Sequence, residues 1–247
     1  MNAWAYAIPA VAGISLLSLI GAVGFLMKPE TFRRSLLLLV SLSVGALLGD
    51  AFLHLLPDLA RDGGLNAGIS SLILAGIGGF FVLEKFLHWH HTHIASEEVL
   101  HPIAITNLVG DGMHNFIDGA IIAGAFLVSV PLGWTTTLAV AMHEIPAEMG
   151  RLGILVHVGM EMRRALFFNF LSALTALGGA ALTLALANSI HGLARGMTAI
   201  TAGGFVYIAG ADLIPELQRE TKTTTSLLQL AGIIAGAGIM GLLLLID

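Results

Sequence analysis

Apolar residues in this chain come in long blocks rather than in alternation, and each block is about as long as a bilayer is thick. A spanning helix needs about 20 mostly apolar residues. Eight stretches qualify, near 4–27, 35–58, 67–89, 102–128, 132–157, 165–188, 195–217 and 226–246. The blocks are rich in Gly and Ala and lack a period of two, which predicts helices and argues against a β-barrel. The expected fold is therefore all-α and polytopic, with eight transmembrane helices forming a single transmembrane domain over 1–247. No Lys or Arg precedes Lys28, so the first block lacks the basic start of a secretory signal and is expected to remain in the mature protein.

Composition narrows the class further. The 247 residues are 56% hydrophobic and only 11% charged, with a mean hydropathy of +0.90. Soluble domains carry about 25% charged residues. A soluble enzyme, a nucleic-acid binder and a disordered chain are thereby disfavoured, and a net charge of -5 offers no basic patch for nucleic acid. Cysteine is absent, which removes disulfides, zinc fingers and thiol nucleophiles but does not identify a compartment.

Lys and Arg set the expected orientation. The odd-numbered connections carry Lys28, Arg33, Arg34, Lys85, Arg163, Arg164, Arg219 and Lys222, whereas the even ones carry only Arg61 and Arg195. The odd connections are expected to face the cytoplasm, with both termini outside and the chain in a prokaryotic plasma (inner) membrane. Lys85 and Arg195 stand at the edges of their predicted spans, whereas Arg151 lies well inside one.

Two spans echo each other. The second ends in His54-Leu55-Leu56-Pro57-Asp58 and the seventh contains Asp212-Leu213-Ile214-Pro215-Glu216. These spans are five apart and run in opposite directions, as expected of inverted repeats, whose interrupted helices mark many transporters. The alternative is chance likeness between two apolar helices.

Most acidic residues sit inside the spans. Asp50, Asp111, Asp118, Glu144, Glu148, Asp212 and Glu216 are all placed there. A charge at the bilayer centre costs about 2.5–3.5 kcal/mol on insertion scales, so such groups normally face the bundle interior and serve an ion path. Asp111, His114, Asn115 and Asp118 follow an i, i+3, i+4, i+7 pattern and share an arc of about 100° on the fourth span. His143, Glu144, Ala147, Glu148 and Arg151 cluster over about 140° on the fifth. Asp50, His54 and Asp58 form a stripe on the second.

Imidazole nitrogens and carboxylate oxygens on facing helices suit zinc, iron, nickel or copper, with manganese also accommodated. Calcium and magnesium would favour an all-oxygen cage. The competing reading is interhelical hydrogen bonding without metal, which Ser, Thr or Asn would supply at lower cost. Asp212 and Glu216 stand close to Arg219 in sequence, so ion pairing there competes with a role in the path.

These motifs resemble the Zrt/Irt-like (ZIP) divalent-metal transporter family. The likeness rests on His114-Asn115-Phe116-Ile117-Asp118-Gly119, on His143-Glu144-Ile145-Pro146 with Glu148 and Gly150, and on the echoed motifs of the second and seventh spans. It implies inverted three-helix repeats around helices four and five, a 3+2+3 transport domain. It also implies a two-metal centre between those two helices. By position, His114, Asp118 and His143 would be ligands of the transport site, while Asn115 and Glu144 would belong to a neighbouring site and Asp118 could bridge the two. Glu148 joins the expected metal residues, and His54, Asp58, Asp111, Asp212 and Glu216 the expected pathway. Transport toward the cytoplasm is implied as well.

Two positions depart from the subfamily pattern H-E-x-P-H-E-x-G-D. Ala147 removes a ligand one turn beyond His143, and Arg151 places a permanent cation where a carboxylate is expected. Fewer or weaker metals in the second site are the expectation. Arg151 would then pair with Glu148 or offset the carboxylates; the plainer alternative is that it snorkels to the interface.

The third connection, 88–101, is expected to be a cytoplasmic histidine-containing loop in which His88, His90, His91 and His93 could bind metal, against the plainer reading of a solvated linker. Lone His157 and His191 read as interfacial.

A metalloprotease H-E-x-x-H motif fails at Ala147, and a di-iron enzyme would want Glu-x-x-His pairs that the spans lack. A metal sensor that does not transport remains the alternative. The expected function is a carrier of divalent transition metals, zinc foremost and iron, manganese or cadmium after it, using no organic cofactor. Its partners would be the metal-ion substrate, the lipid bilayer and a second copy of the chain in a homodimer.

Overall fold

A computed structural model of the chain describes residues 2–61, 63–92, 100–157, 159–219 and 222–245, except for the side chains of 24, 25, 29, 30, 33, 34, 86–92, 100–103, 105, 106 and 157. Among the described residues the only regular structure is helical. α1 covers 3–26 through a tight turn at Ser18–Ile20, and α2 covers 29–61. α3 is Ala67–Thr92, α4 Leu100–Val128 and α5 Val130–His157. α6 is Met162–Leu186 with a break after Ala173, α7 is Leu193–Gln218, and α8 is Thr223–Leu243. Portions of α1, α2, α3, α6, α7 and α8 are long and apolar enough to cross a membrane. α4 and α5 are 29 and 28 residues long and carry Asp111, Asp118, Glu144 and Glu148.

The third connection is shorter than the sequence pattern predicts. α3 continues through Thr92 and α4 begins at Leu100, so His88, His90 and His91 belong to the end of a helix and His101 to the start of the next. Lys85 to His91 contains neither Gly nor Pro to stop the helix. His93 and its neighbours through Val99 lie outside the described residues, as do the side chains of the other histidines of this tract.

Prolines and their compensations shape the inner helices. Proline lacks an N–H and its ring crowds the carbonyl four residues back. Before Pro57, α2 widens into a π-helical turn at Asp50–Leu55; before Pro215, α7 does the same at Ile208–Leu213. The two turns stand at the same offset from their prolines, so the sequence echo is also a structural one. α5 passes Pro146 without interruption. The carbonyl that Pro146 leaves without a helical donor belongs to Met142, and Ser43 Oγ of α2 donates to it at 2.5 Å. At the break in α6, Ser15 Oγ of α1 likewise donates to the Ala173 carbonyl at 2.8 Å.

Helix pairs are set by glycines in reciprocal contact. α2 packs on α8 with Gly45 against the Ile233 carbonyl and Gly236 against that of Leu42. α3 packs on α7 with Gly76 against Ile200 and Gly203 against Ile73. α4 packs on α6 with Gly119 against Ala176 and Gly179 against Phe116. A Cβ at any of these six glycines would overlap a carbonyl oxygen of the facing helix. Lipid offers no hydrophobic drive for helix association, so close backbone approach of this kind supplies much of the packing energy. α4 and α5 also pack on each other, α5 against α1 and α2 and α4 against α7, which puts the charged helices at the centre.

Candidate metal centre

The polar face of α4 meets that of α5 at mid-helix. His114, Asp118, His143 and Glu144 each turn one ligand atom inward, all within 4.8 Å of one another. His114 Nε2 lies 3.1 Å from Glu144 Oε1 and 3.5 Å from Asp118 Oδ2. His143 Nε2 lies 3.4 Å from Asp118 Oδ2 and 3.5 Å from Glu144 Oε1. A tetrahedral ion with bonds of about 2.0–2.1 Å separates its ligand atoms by about 3.3 Å. Four separations within the cluster fall at 3.1–3.5 Å, close to that value, with two imidazoles and two carboxylates contributing.

The surroundings fix the donors. His143 Nδ1 faces the Ala139 carbonyl at 3.2 Å, which directs Nε2 toward the cluster and selects the tautomer that can bind metal. The rings of His114 and His143 pack edge-on against Phe80 and Phe205. Asp118 is fully buried, and neither of its carboxylate oxygens has a hydrogen-bond donor. A buried carboxylate without a hydrogen-bond donor is costly, and a cation between α4 and α5 lowers that cost.

Arg151 turns inward rather than toward the interface. Its Nη1 lies 2.8 Å from Asp111 Oδ1, 3.1 Å from Glu144 Oε2 and 3.7 Å from Glu148 Oε1. The snorkelling reading is therefore overturned, and the anticipated Glu148 pair is the longest of three. Three buried carboxylates converge on the guanidinium and outweigh the pull of the interface. Asn115, expected near the metal, instead donates to Asp111 Oδ1 at 3.0 Å. Glu148 Oε2 accepts from Asn169 at 2.5 Å, and Ser172 donates to Asp111.

The pathway residues divide between two environments. Asp50 and His54 are buried, with Thr136 of α5 donating to Asp50 Oδ2 at 3.1 Å. Asp58 beyond them is half-buried. On the far side of the cluster a cavity of about 170 Å³ has polar walls from Glu84, Asn107, Asp111, His114, Arg151, Tyr207 and Asp212. Asp212 is exposed at its mouth. Glu216 is exposed and pairs with Arg219 at 2.9 Å, away from the cluster. His191 is exposed beside the start of α7, and the His157 side chain lies outside the described residues.

Sequence reasoning missed Glu84, Tyr207, Asn169, Ser172 and Thr136. Tyr207 donates to Glu84 at 2.5 Å across the cavity. Glu84 sits beside Lys85 near the end of an apolar block, where an acid looks interfacial. Asn169 and Ser172 share a helix face at i, i+3, and this pair of polar residues was a readable signal. Asn169→Ala should lower stability by about 1–3 kcal/mol by removing a donor from the buried Glu148 carboxylate. A thermal-unfolding series in detergent checks this, with exposed Gln218→Ala as the unaffected control.

These features define a class: a helical membrane protein whose two central helices present a buried His/carboxylate cluster at the end of a polar cavity. The family model for the ZIP Zinc transporter matches residues 90–244. The chain belongs to that family, which is one of transporters and not of enzymes. It is similar to zinc transporter ZIP13 of Danio rerio, at 30% identity, over 89% of this chain and 79% of the relative. The metal cation symporter ZIP14 of Xenopus tropicalis is 30% identical over 97% of this chain and 69% of its own length. IAA-alanine resistance protein 1 of Arabidopsis thaliana is 46% identical, but over 48% of this chain and only 25% of that protein.

Proposed function

We propose that the chain carries divalent transition-metal ions, zinc foremost, toward the cytoplasm across a prokaryotic plasma membrane. In this reading all eight long helices cross the membrane, and both termini lie outside. The observation that carries it is the cluster of His114, Asp118, His143 and Glu144, whose ligand atoms lie within 4.8 Å of one another beside a polar cavity. Two carboxylates balance the charge of one divalent ion, and two imidazoles favour zinc over magnesium or calcium. The relatives named above, a zinc transporter and a metal cation symporter, support the same substrate class.

Alternating access between inverted repeats, α1–α3 and α6–α8, is the mechanism proposed. It is supported by the matched π-helical turns before Pro57 and Pro215, and by reciprocal packing: α2 on α8 and α7 on α3, α4 on α6 and α5 on α1. The matched positions His54 and Asp212 have opposite environments, one buried and the other exposed. A two-fold repeat with one arm closed and the other open is the geometry of a one-sided access state. With Arg219 and Lys222 placing the end of α7 at the cytoplasm, the cavity is the inner release path and the Asp50, His54 and Thr136 contact is the closed outer gate.

Radiolabelled zinc uptake into proteoliposomes tests the reading. Saturable uptake is expected, falling as the outer pH drops from 7.5 to about 5.5, because protonated imidazole competes with metal. A folded protein that binds zinc without flux would make the chain a sensor. Flux indifferent to pH over this range would remove His114 and His143 as essential ligands.

A further inference from the structure

We propose that Arg151 is a tethered second cation of this centre, so that each chain holds one divalent ion where the family pattern provides for two. The inference rests on the transport reading above and concerns the stoichiometry of the same site. Glu144 lies between two neighbours: Oε1 faces His114 and His143, and Oε2 takes the shorter contact from the guanidinium at 3.1 Å, with Oε1 at 3.4 Å from it. The guanidinium therefore stands where a carboxylate-bridged second ion would be sought. It also binds Asp111 and Glu148, the other two carboxylates of that half. Neutral donors complete the packing there: Ser172 and Asn115 on Asp111, and Asn169 on Glu148. The ligand missing at Ala147 agrees with this, because a half-centre already filled by a cation has no use for a further imidazole.

Chemistry distinguishes the tethered cation from a bound metal. A guanidinium stays charged at every pH a cell reaches, cannot leave along the cavity, and keeps its single positive charge among the three carboxylates with or without zinc. It also holds the Glu144 carboxylate in place from behind, so Arg151 is a positioning residue for the transported ion. A second divalent ion would have to displace it and accept its repulsion at contact distance.

The test counts zinc bound to the full-length protein in detergent by equilibrium dialysis and elemental analysis. His88, His90, His91 and His93 are replaced by alanine throughout, so that zinc on that tract is not counted. The Arg151-containing chain should saturate at one zinc. Ala147→His with Arg151→Asp should saturate at two, and Arg151→Gln should gain a second, weaker zinc. Arg151→Lys should keep one zinc, because it keeps the charge, with affinity reduced several-fold by loss of the planar fork. Arg151→Gln should also weaken the first zinc about 10- to 100-fold, the usual effect of losing a group that orients a ligand. A count of two in the Arg151-containing chain overturns the proposal. So does a count of one in both folded variants that lack the cation, since the limit would then have another origin. If the double variant does not fold, Arg151→Gln decides alone. A count of zero in the Arg151-containing chain would instead overturn the site reading beneath it.

Discussion

Asp118→Ala should abolish zinc uptake in proteoliposomes, a loss of about 100-fold or more, while the protein elutes and unfolds like the intact chain. Orienting groups behind a metal ligand already account for about 10–100-fold, and Asp118 is itself placed to be a ligand. Asp118 Oδ2 lies within 3.5 Å of both imidazole Nε2 atoms, and no hydrogen bond competes for its oxygens. Removing the carboxylate leaves a +2 ion facing a single compensating charge, that of Glu144, among buried side chains. Stability should hold or rise, because a buried carboxylate that accepts no hydrogen bond disappears. Asp118→Asn separates charge from shape: it keeps the volume and should be equally inactive. Retention of more than about a tenth of the flux by either variant would place the ion path elsewhere.

Gly119→Ala should be among the most damaging single-methyl changes at the described glycines. Its Cβ would lie inside contact distance of the Ala176 carbonyl, with Gly179 making the reciprocal contact on Phe116. Both obstacles are helix backbone, so the pair must separate, and α4 is the helix that carries His114 and Asp118. A loss of about 3 kcal/mol or more is expected, the upper part of the overpacking range, with loss of zinc affinity as α4 shifts. Gly78→Ala is the matched control: nothing lies within 4 Å of a Cβ there, and alanine favours helix over glycine by about 1 kcal/mol. Thermal unfolding of the two variants side by side decides the matter. Equal midpoints would mean that the α4–α6 contact contributes little.

The chain carries its architecture at short range. Block length, apolar content and helical spacing identified the long helices to within a few residues, because each element is fixed by its own composition against lipid. Asp111, His114, Asn115 and Asp118 were legible as one face, and His143, Glu144 and Glu148 as another, since helical periodicity is local. The pairing of these faces was legible through chemistry: a buried charge must find a partner, and imidazoles opposite carboxylates imply which one. The break between α3 and α4 was less legible, because His-rich sequence without Gly or Pro reads as a loop by polarity and as a helix by propensity.

Division of labour within the charged cluster was decided only by the tertiary structure. Asn115 and Asp118 lie on the same face of α4, yet Asn115 serves Asp111 and Asp118 meets the histidines. Arg151 was compatible with snorkelling until the fold brought Asp111 from α4 beside it. The same holds for Asn169 and Ser172, whose role depends on α6 lying against α4 and α5. His54 and Asp212 occupy matching motifs, but one is buried and the other opens on a cavity, a difference that no local pattern encodes. By itself the sequence determined the helices, their polar faces and the chemistry those faces can perform. The structure decided which carboxylates meet the imidazoles and which meet the guanidinium, because that choice depends on ångström-scale distances between helices set by glycine contacts far apart in the chain.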